Sequence, residues 1–139
     1  MTLNNIGRDH QLGGDGLDFS GSKALIKNTL FNQVSDKAIS VGERSRVKIE
    51  DIVVQNATNA IVSKDGSVVE VEDANLNYVG RALVVIKKKS GYGPATLTAK
   101  RLSFDSVDTP YLLEEGSTLQ IDGANVKPNT NQGKAIVYQ

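Results

Sequence analysis

The chain has 139 residues, 16 lysines and arginines against 16 aspartates and glutamates, and no cysteine. That length is one domain. The zero net charge argues against nucleic acid or a membrane surface as the main partner, because both require surplus Lys and Arg. The absence of cysteine excludes disulfides and leaves cytosol and cell exterior both open.

Residues 1–15 read as a lead or partial coil. Leu3 and Ile6 are sparse apolar positions, no apolar signal core is present, and nothing approaches a membrane span. His10 is the single histidine and reads as a solvated loop residue. From residue 16 to 126 the chain repeats itself. Ala38-Ile39-Ser40-Val41 returns 22 residues later as Ala60-Ile61-Val62-Ser63, and again as Ala82-Leu83-Val84-Val85. Going backwards, the same step lands on Gly16-Leu17-Asp18-Phe19. A second segment follows each first one after a turn, with inward pairs Ala24/Ile26, Val47/Ile49, Val69/Val71, Leu97/Ala99 and Leu119/Ile121. A third begins at Thr29, Ile52, Ala74, Leu102 and Ala124. A fixed period in the twenties, made of short segments that alternate with period two, predicts stacked strands and not helices.

Lys27, Glu50, Glu72, Lys100 and Asp122 form an outward row. A one-residue slip would bury these charges, so the register is set. Lys27 with Glu50, and Glu72 with Lys100 and Asp122, are expected neighbours, each pair contributing about 0–1 kcal/mol. Turns fall at Gly21-Ser22, at Gly42 (expected to supply positive φ), at Lys64-Asp65-Gly66-Ser67 and at Gly116-Ser117. Ser63 is an inward polar residue and needs a backbone partner. Phe19, Phe31 and Phe104 read as core. The fourth coil carries six extra residues within 87–94, a loop with three consecutive lysines, Tyr92 and Pro94, and in solenoids such insertions gather on one face, often the binding face. Residues 127–139 are a polar loop and a partial coil. The tail from Lys134 resembles Lys37-Ala38-Ile39 and is expected to start a sixth coil as a strand.

The leucine and asparagine signature of a leucine-rich repeat and the six-residue period of a left-handed β-helix are both missing. The expectation is an all-β, right-handed parallel β-helix of about five coils, three short strands per coil, in one domain. The blocks DGLDFSGS (15–22), DKAISVGERS (36–45) and AIVSKDGS (60–67) resemble those of right-handed parallel β-helix proteins of the pectate-lyase-like superfamily, over residues 13–126. Within it, the chain is similar to small, non-enzymatic-looking modules, some found in spore-coat-kinase-like surface proteins. The resemblance implies an extracellular or cell-surface location.

The chemistry of that superfamily, aspartates with a basic residue and often calcium, or paired aspartates followed by Gly-His-Gly, has no counterpart here. Asp15 and Asp18 are close, and glycoside hydrolysis does need two carboxylates. Nothing accompanies them in adjacent repeats, so they read as turn and exposed-strand residues. Asp15, Asp18, Asp36 and Asp65 are too scattered for the six to eight oxygens a calcium ion takes. No catalytic residue, metal or cofactor is expected. The candidate ligand-binding residues are Lys87, Lys88, Lys89 and Tyr92, lysines for an anionic or carbohydrate ligand and the tyrosine as a stacking face. The function expected is a non-catalytic structural or binding module contacting glycan or a partner protein at a microbial surface. A reduced polysaccharide lyase or hydrolase is one alternative. A homo-oligomer stacking through weakly capped ends is another.

Overall fold

A computed structural model describes residues 1–6 and 14–138; the expectation for His10 lies outside them. The architecture is nearly all-β. In chain order come β1 (Thr2–Ile6), β2 (Leu17–Ser20), β3 (Lys23–Gly42), β4 (Arg46–Lys64), β5 (Val68–Ile86), β6 (Thr96–Leu113), β7 (Thr118–Ile121), β8 (Ala124–Asn125) and one short helix, α1 (Gly133–Val137). The sheet order is β1-β3-β4-β5-β6-β7-β8, with β2 also on β3, and every pair is parallel except β7 with β8.

The repeat read from the sequence is the register of the sheet. Ile26, Ile49, Val71, Ala99 and Ile121 are successive strand partners, and so are Leu17, Ile39, Ile61, Leu83 and Tyr111. Val69 pairs with Leu97, which places the extra length of the fourth repeat between β5 and β6. These columns form one apolar interior, in which Ile39, Ile49, Ile61, Leu83 and Leu97 are fully buried. At the start of the chain β1 lies parallel on β3, with Leu3 beside Phe31 and Ile6 beside Val34.

Each repeat is one element of 18–20 residues and not three short strands. Single residues with positive φ bend it. They recur at equivalent places: Asn28, Asp51, Asp73 and Arg101 form one set, Gln33, Asn56, Tyr78 and Ser106 the other. The left-handed region suits Asn and Asp, whose short polar side chains bond locally, and penalises bulky residues. Tyr78 sits there at φ 55 and is 60% exposed, so it supplies little burial in return. Tyr78→Asn is expected to raise the unfolding free energy by about 1 kcal/mol, read as a higher denaturant midpoint at unchanged m-value.

The turns carry a hydroxyl ladder. Ser45 Oγ accepts from the N–H of Ser22 at 3.0 Å, Ser67 Oγ from that of Ser45 at 3.1 Å, and Ser117 Oγ from that of Ala95 at 3.1 Å. Ser63 finds its backbone partner, the Thr96 carbonyl, at 3.0 Å. Positive φ in the second turn falls on Glu43 and Arg44, not on Gly42.

Three expectations are corrected at the far end. Ala124 does not begin a third segment stacked on Leu102. Asp122 and Gly123, with φ of 50° and 82°, make a two-residue turn, and β8 runs back antiparallel along β7. Positive φ at both central residues is what a type I′ hairpin demands, and Asp-Gly favours it. Phe104 is therefore left 39% exposed at the edge of β6, where among the described residues no strand covers it, and is not core; Phe19 is half-buried. Finally, the tail is helical. Its place on the ladder is already filled, because Asn129 N–H donates to the Leu113 carbonyl and Thr130 bridges Glu114. The outward positions Val62, Val84, Ile86 and Leu112 form an apolar patch that needs cover, and Ile136, Val137 and Tyr138 pack on it. Gly133 permits the approach, since a Cβ there would meet Ile86 Cγ2 at 2.5 Å.

In the outward row, Lys27 pairs with Glu50 at 3.5 Å. Glu72 is the register partner of Lys100, as expected, but its ion pair is with Arg101, and Asp122 accepts from the Arg101 N–H. Arg101 also holds Asp73 at 2.7 Å, which keeps that carboxyl below the usual carboxylate range.

Candidate functional site

The loop 87–94 lies on the surface but is not loose. Asp65 sits in the turn between β4 and β5 with φ 54, and its side chain is buried. Its Oδ1 accepts the backbone N–H groups of Lys88 at 2.7 Å and Lys89 at 2.8 Å. Its Oδ2 is buried without a hydrogen-bond partner. The insertion is thus pinned onto the preceding turn, one repeat away. Lys87 donates its N–H to Glu114 Oε2 at 2.7 Å, and its side chain is exposed.

The four candidate side chains do not converge. Lys89 turns to Glu43, which also accepts from the Ser20 hydroxyl; these two bonds, Lys89 first, hold the Glu43 carboxyl below its ordinary range. Tyr92 is half-buried with the Arg44 guanidinium over its ring at 5.1 Å, so one face is already taken. Lys87 points elsewhere. Lys88 alone reaches a cluster, and its other members come from outside the loop.

That cluster is built around Tyr138. Lys88 Nζ lies 4.2 Å from the ring centroid, Lys37 Nζ 4.4 Å and Lys64 Nζ 5.3 Å, and Lys64 donates to the phenol oxygen at 2.7 Å. Such contacts are attractive because the ring face carries negative charge. Lys37 is buried and is neutralised by Asp36 at 2.8 Å and Asp15 at 3.9 Å. Burial raises the Asp15 carboxyl above its usual range, with Lys37 opposing. Among the described residues, neither Lys64 nor Lys88 has a carboxylate within 4 Å. Burial first, then Lys64, Lys37 and Lys89, push the Lys88 ammonium below its ordinary value. Burial likewise pushes the Tyr138 phenol up to about 12.

Beside Tyr138 lies a depression of about 200 Å³, lined by Asp18, Phe19, Ser20, Gly42, Glu43, Lys64, Asp65, Lys88 and Lys89. It follows from register. Asp18 stacks on Ser40 and Val62, and Ser20 on Gly42, so the missing side chain of Gly42 leaves a gap walled by Lys64. A Cβ at Gly42 would meet Lys64 Cε at 2.9 Å. The sequence reading missed Glu43, Lys64, Asp65 and Tyr138. Lys64-Asp65-Gly66-Ser67 reads as ordinary turn chemistry; the signal available was that Lys88 stands one repeat and one residue beyond Asp65. Among the described residues, no group of three or more His, Asp or Glu side chains is arranged to hold a metal ion. Among the described residues, no helix is long and apolar enough to cross a membrane.

An ultraviolet titration of the tyrosines tests the electrostatics. Tyr138 is expected to ionise near 12 in the folded chain, against about 10 unfolded. Because the folded value is the higher one, the neutral phenol's contribution to stability is fully present below pH 10 and is lost as pH rises through 12. Loss of the high-pH component in Tyr138→Phe identifies it.

Compared with protein-family models, curated proteins and solved structures, the chain matches none.

Proposed function

We propose that the chain is a right-handed parallel β-helix of about five coils, pectate-lyase-like in fold. On this reading it works as a non-catalytic binding module that meets a glycan or a partner protein at a microbial surface. The connections support the coil. Only three residues separate Gly42 from Arg46 and Lys64 from Val68, yet β3, β4 and β5 pair in parallel along most of their length. Parallel neighbours need a crossover of about a dozen residues or more. Here the strand itself, bent at its left-handed residues, is that crossover, and parallel crossovers are right-handed in nearly all cases.

The observation that carries the binding reading is the pinned insertion. Two amides of the loop 87–94 are fastened to Asp65, which sets Lys88 and Lys89 at the rim of the depression left by Gly42. A glycan array run beside a polyuronate degradation assay tests it. Binding without turnover is expected. Turnover would overturn the reading in favour of a reduced lyase or hydrolase.

A second reading, self-association, is favoured by Phe104. It stands 39% exposed on an edge of β6 that lacks a strand partner past Ala99 among the described residues. Edges of this kind template further pairing. Sedimentation at several concentrations decides it. Concentration-dependent association that Phe104→Lys removes supports this reading, and a strict monomer throughout rules it out.

A further inference from the structure

We infer that Lys64 and Lys88 form the anion-binding end of a site for a small hydroxylated anion, a sugar phosphate or a sugar acid, seated in the depression beside Tyr138. The inference rests on the binding reading above and narrows it to a ligand class.

Charge balance is the first argument. Three ammonium groups surround one phenol ring, and among the described residues Lys37 alone of the three has a carboxylate within 4 Å, Glu43 and Asp65 standing farther from Lys64 and Lys88. Lys64 and Lys88 are left with a cation–π contact and one neutral hydrogen bond. Two partly buried like charges repel, and a bound anion relieves that repulsion. Compact ammonium groups take carboxylate or phosphate as point charges.

The remaining lining argues for hydroxyls on the ligand. Asp65 is 1% exposed and contributes to the wall, and its Oδ2 has no donor. A buried acceptor without a donor costs about 1–3 kcal/mol. A ligand O–H supplies that donor once Lys88 swings from the ring onto the anionic group. Asp18, with an exposed carboxylate, adds an acceptor at the rim. A bare anion would leave the acceptors unused, and a neutral sugar would leave the ammonium groups unpaired. The volume of about 200 Å³ suits a single ring and not a drug-sized ligand.

Tyr138 supplies an independent readout. The anion draws Lys64 and Lys88 away from its hydroxyl and ring, so Tyr138 side-chain NMR signals move with occupancy. The experiment titrates the full chain with glucose 6-phosphate, glucuronate, glucose and inorganic phosphate, followed by calorimetry and by those signals. Saturable binding of glucose 6-phosphate or glucuronate is expected, and the stronger of the two identifies the anionic group. Glucose and inorganic phosphate should each bind at least about tenfold more weakly. Lys64→Gln and Lys88→Gln should each weaken binding about tenfold or more, the loss of one charged hydrogen bond. Lys87→Gln should leave it unchanged, and the circular dichroism of each variant checks its fold. Equal affinity for glucose, or anion binding indifferent to both substitutions, overturns the inference. Binding of neutral glycans alone on the array would sink it while sparing the binding reading, and turnover on polyuronate would sink that reading whichever anion binds.

Discussion

Ile49→Ala is expected to lower the unfolding free energy by about 3 kcal/mol, within the range of about 2–5 kcal/mol for emptying a buried large aliphatic site. Ile49 is fully buried and lies in one column between Ile26 and Val71. Its neighbours above and below are held by backbone pairing on both sides, so the stack cannot collapse onto the cavity. The same truncation at Ile121, half-buried in the last row of that column, should cost about 1 kcal/mol. Equilibrium denaturation of the two variants checks the contrast. Equal losses would mean that the columns are not the continuous interior described here.

The second large effect is at Asp65, where two substitutions separate the side chain from its backbone conformation. Asp65→Gly removes the acceptor of two amides but relieves the positive φ. It is expected to cost about 3 kcal/mol locally, since hydrogen bonds to a charged group contribute about 1.5–3 kcal/mol each. Asp65→Asn keeps an acceptor at Oδ1 and tolerates the left-handed region, so the loop should stay fastened. Hydrogen exchange at the Lys88 and Lys89 amides and the rate of tryptic cleavage within residues 87–94 report the difference. Both should rise at least about tenfold in the glycine variant and little in the asparagine variant. A glycine variant with the wild-type cleavage rate would show that Asp65 does not hold the loop.

Much of the core was legible because stacking copies one geometry. Once Ile39, Ile61 and Leu83 are seen 22 residues apart with alternating neighbours, the inward set, the outward charges and the position of the insertion all follow. The serine ladder was half legible, since Gly21-Ser22, Gly66-Ser67 and Gly116-Ser117 mark the turns without showing that the hydroxyls of Ser45, Ser67 and Ser117 each serve the preceding repeat. At the far end, likeness to the earlier copies predicts further parallel strands that do not form. Asp122-Gly123 is a stronger local signal, for a hairpin, than the likeness of Ala124 to earlier segments. The likeness of the tail from Lys134 to Lys37 is real in sequence but has no open ladder to join.

Of the site, the sequence marked the loop and one member of the lysine cluster, Lys88. The composition and 22-residue period of this chain determine by themselves an all-β interior of aliphatic columns, the face each residue presents within the regular repeats up to Ala99, and the repeat that bulges, because these depend on local alternation and neighbour-to-neighbour identity. Only the tertiary structure decided that Asp65 fastens the bulge, that α1 covers the outward patch of Val62, Val84 and Leu112, and that Lys37, Lys64 and Lys88 gather on Tyr138. Those contacts join residues 23 to 101 positions apart in the chain, across different strands of the sheet, and no local pattern encodes the distance at which a side chain stops.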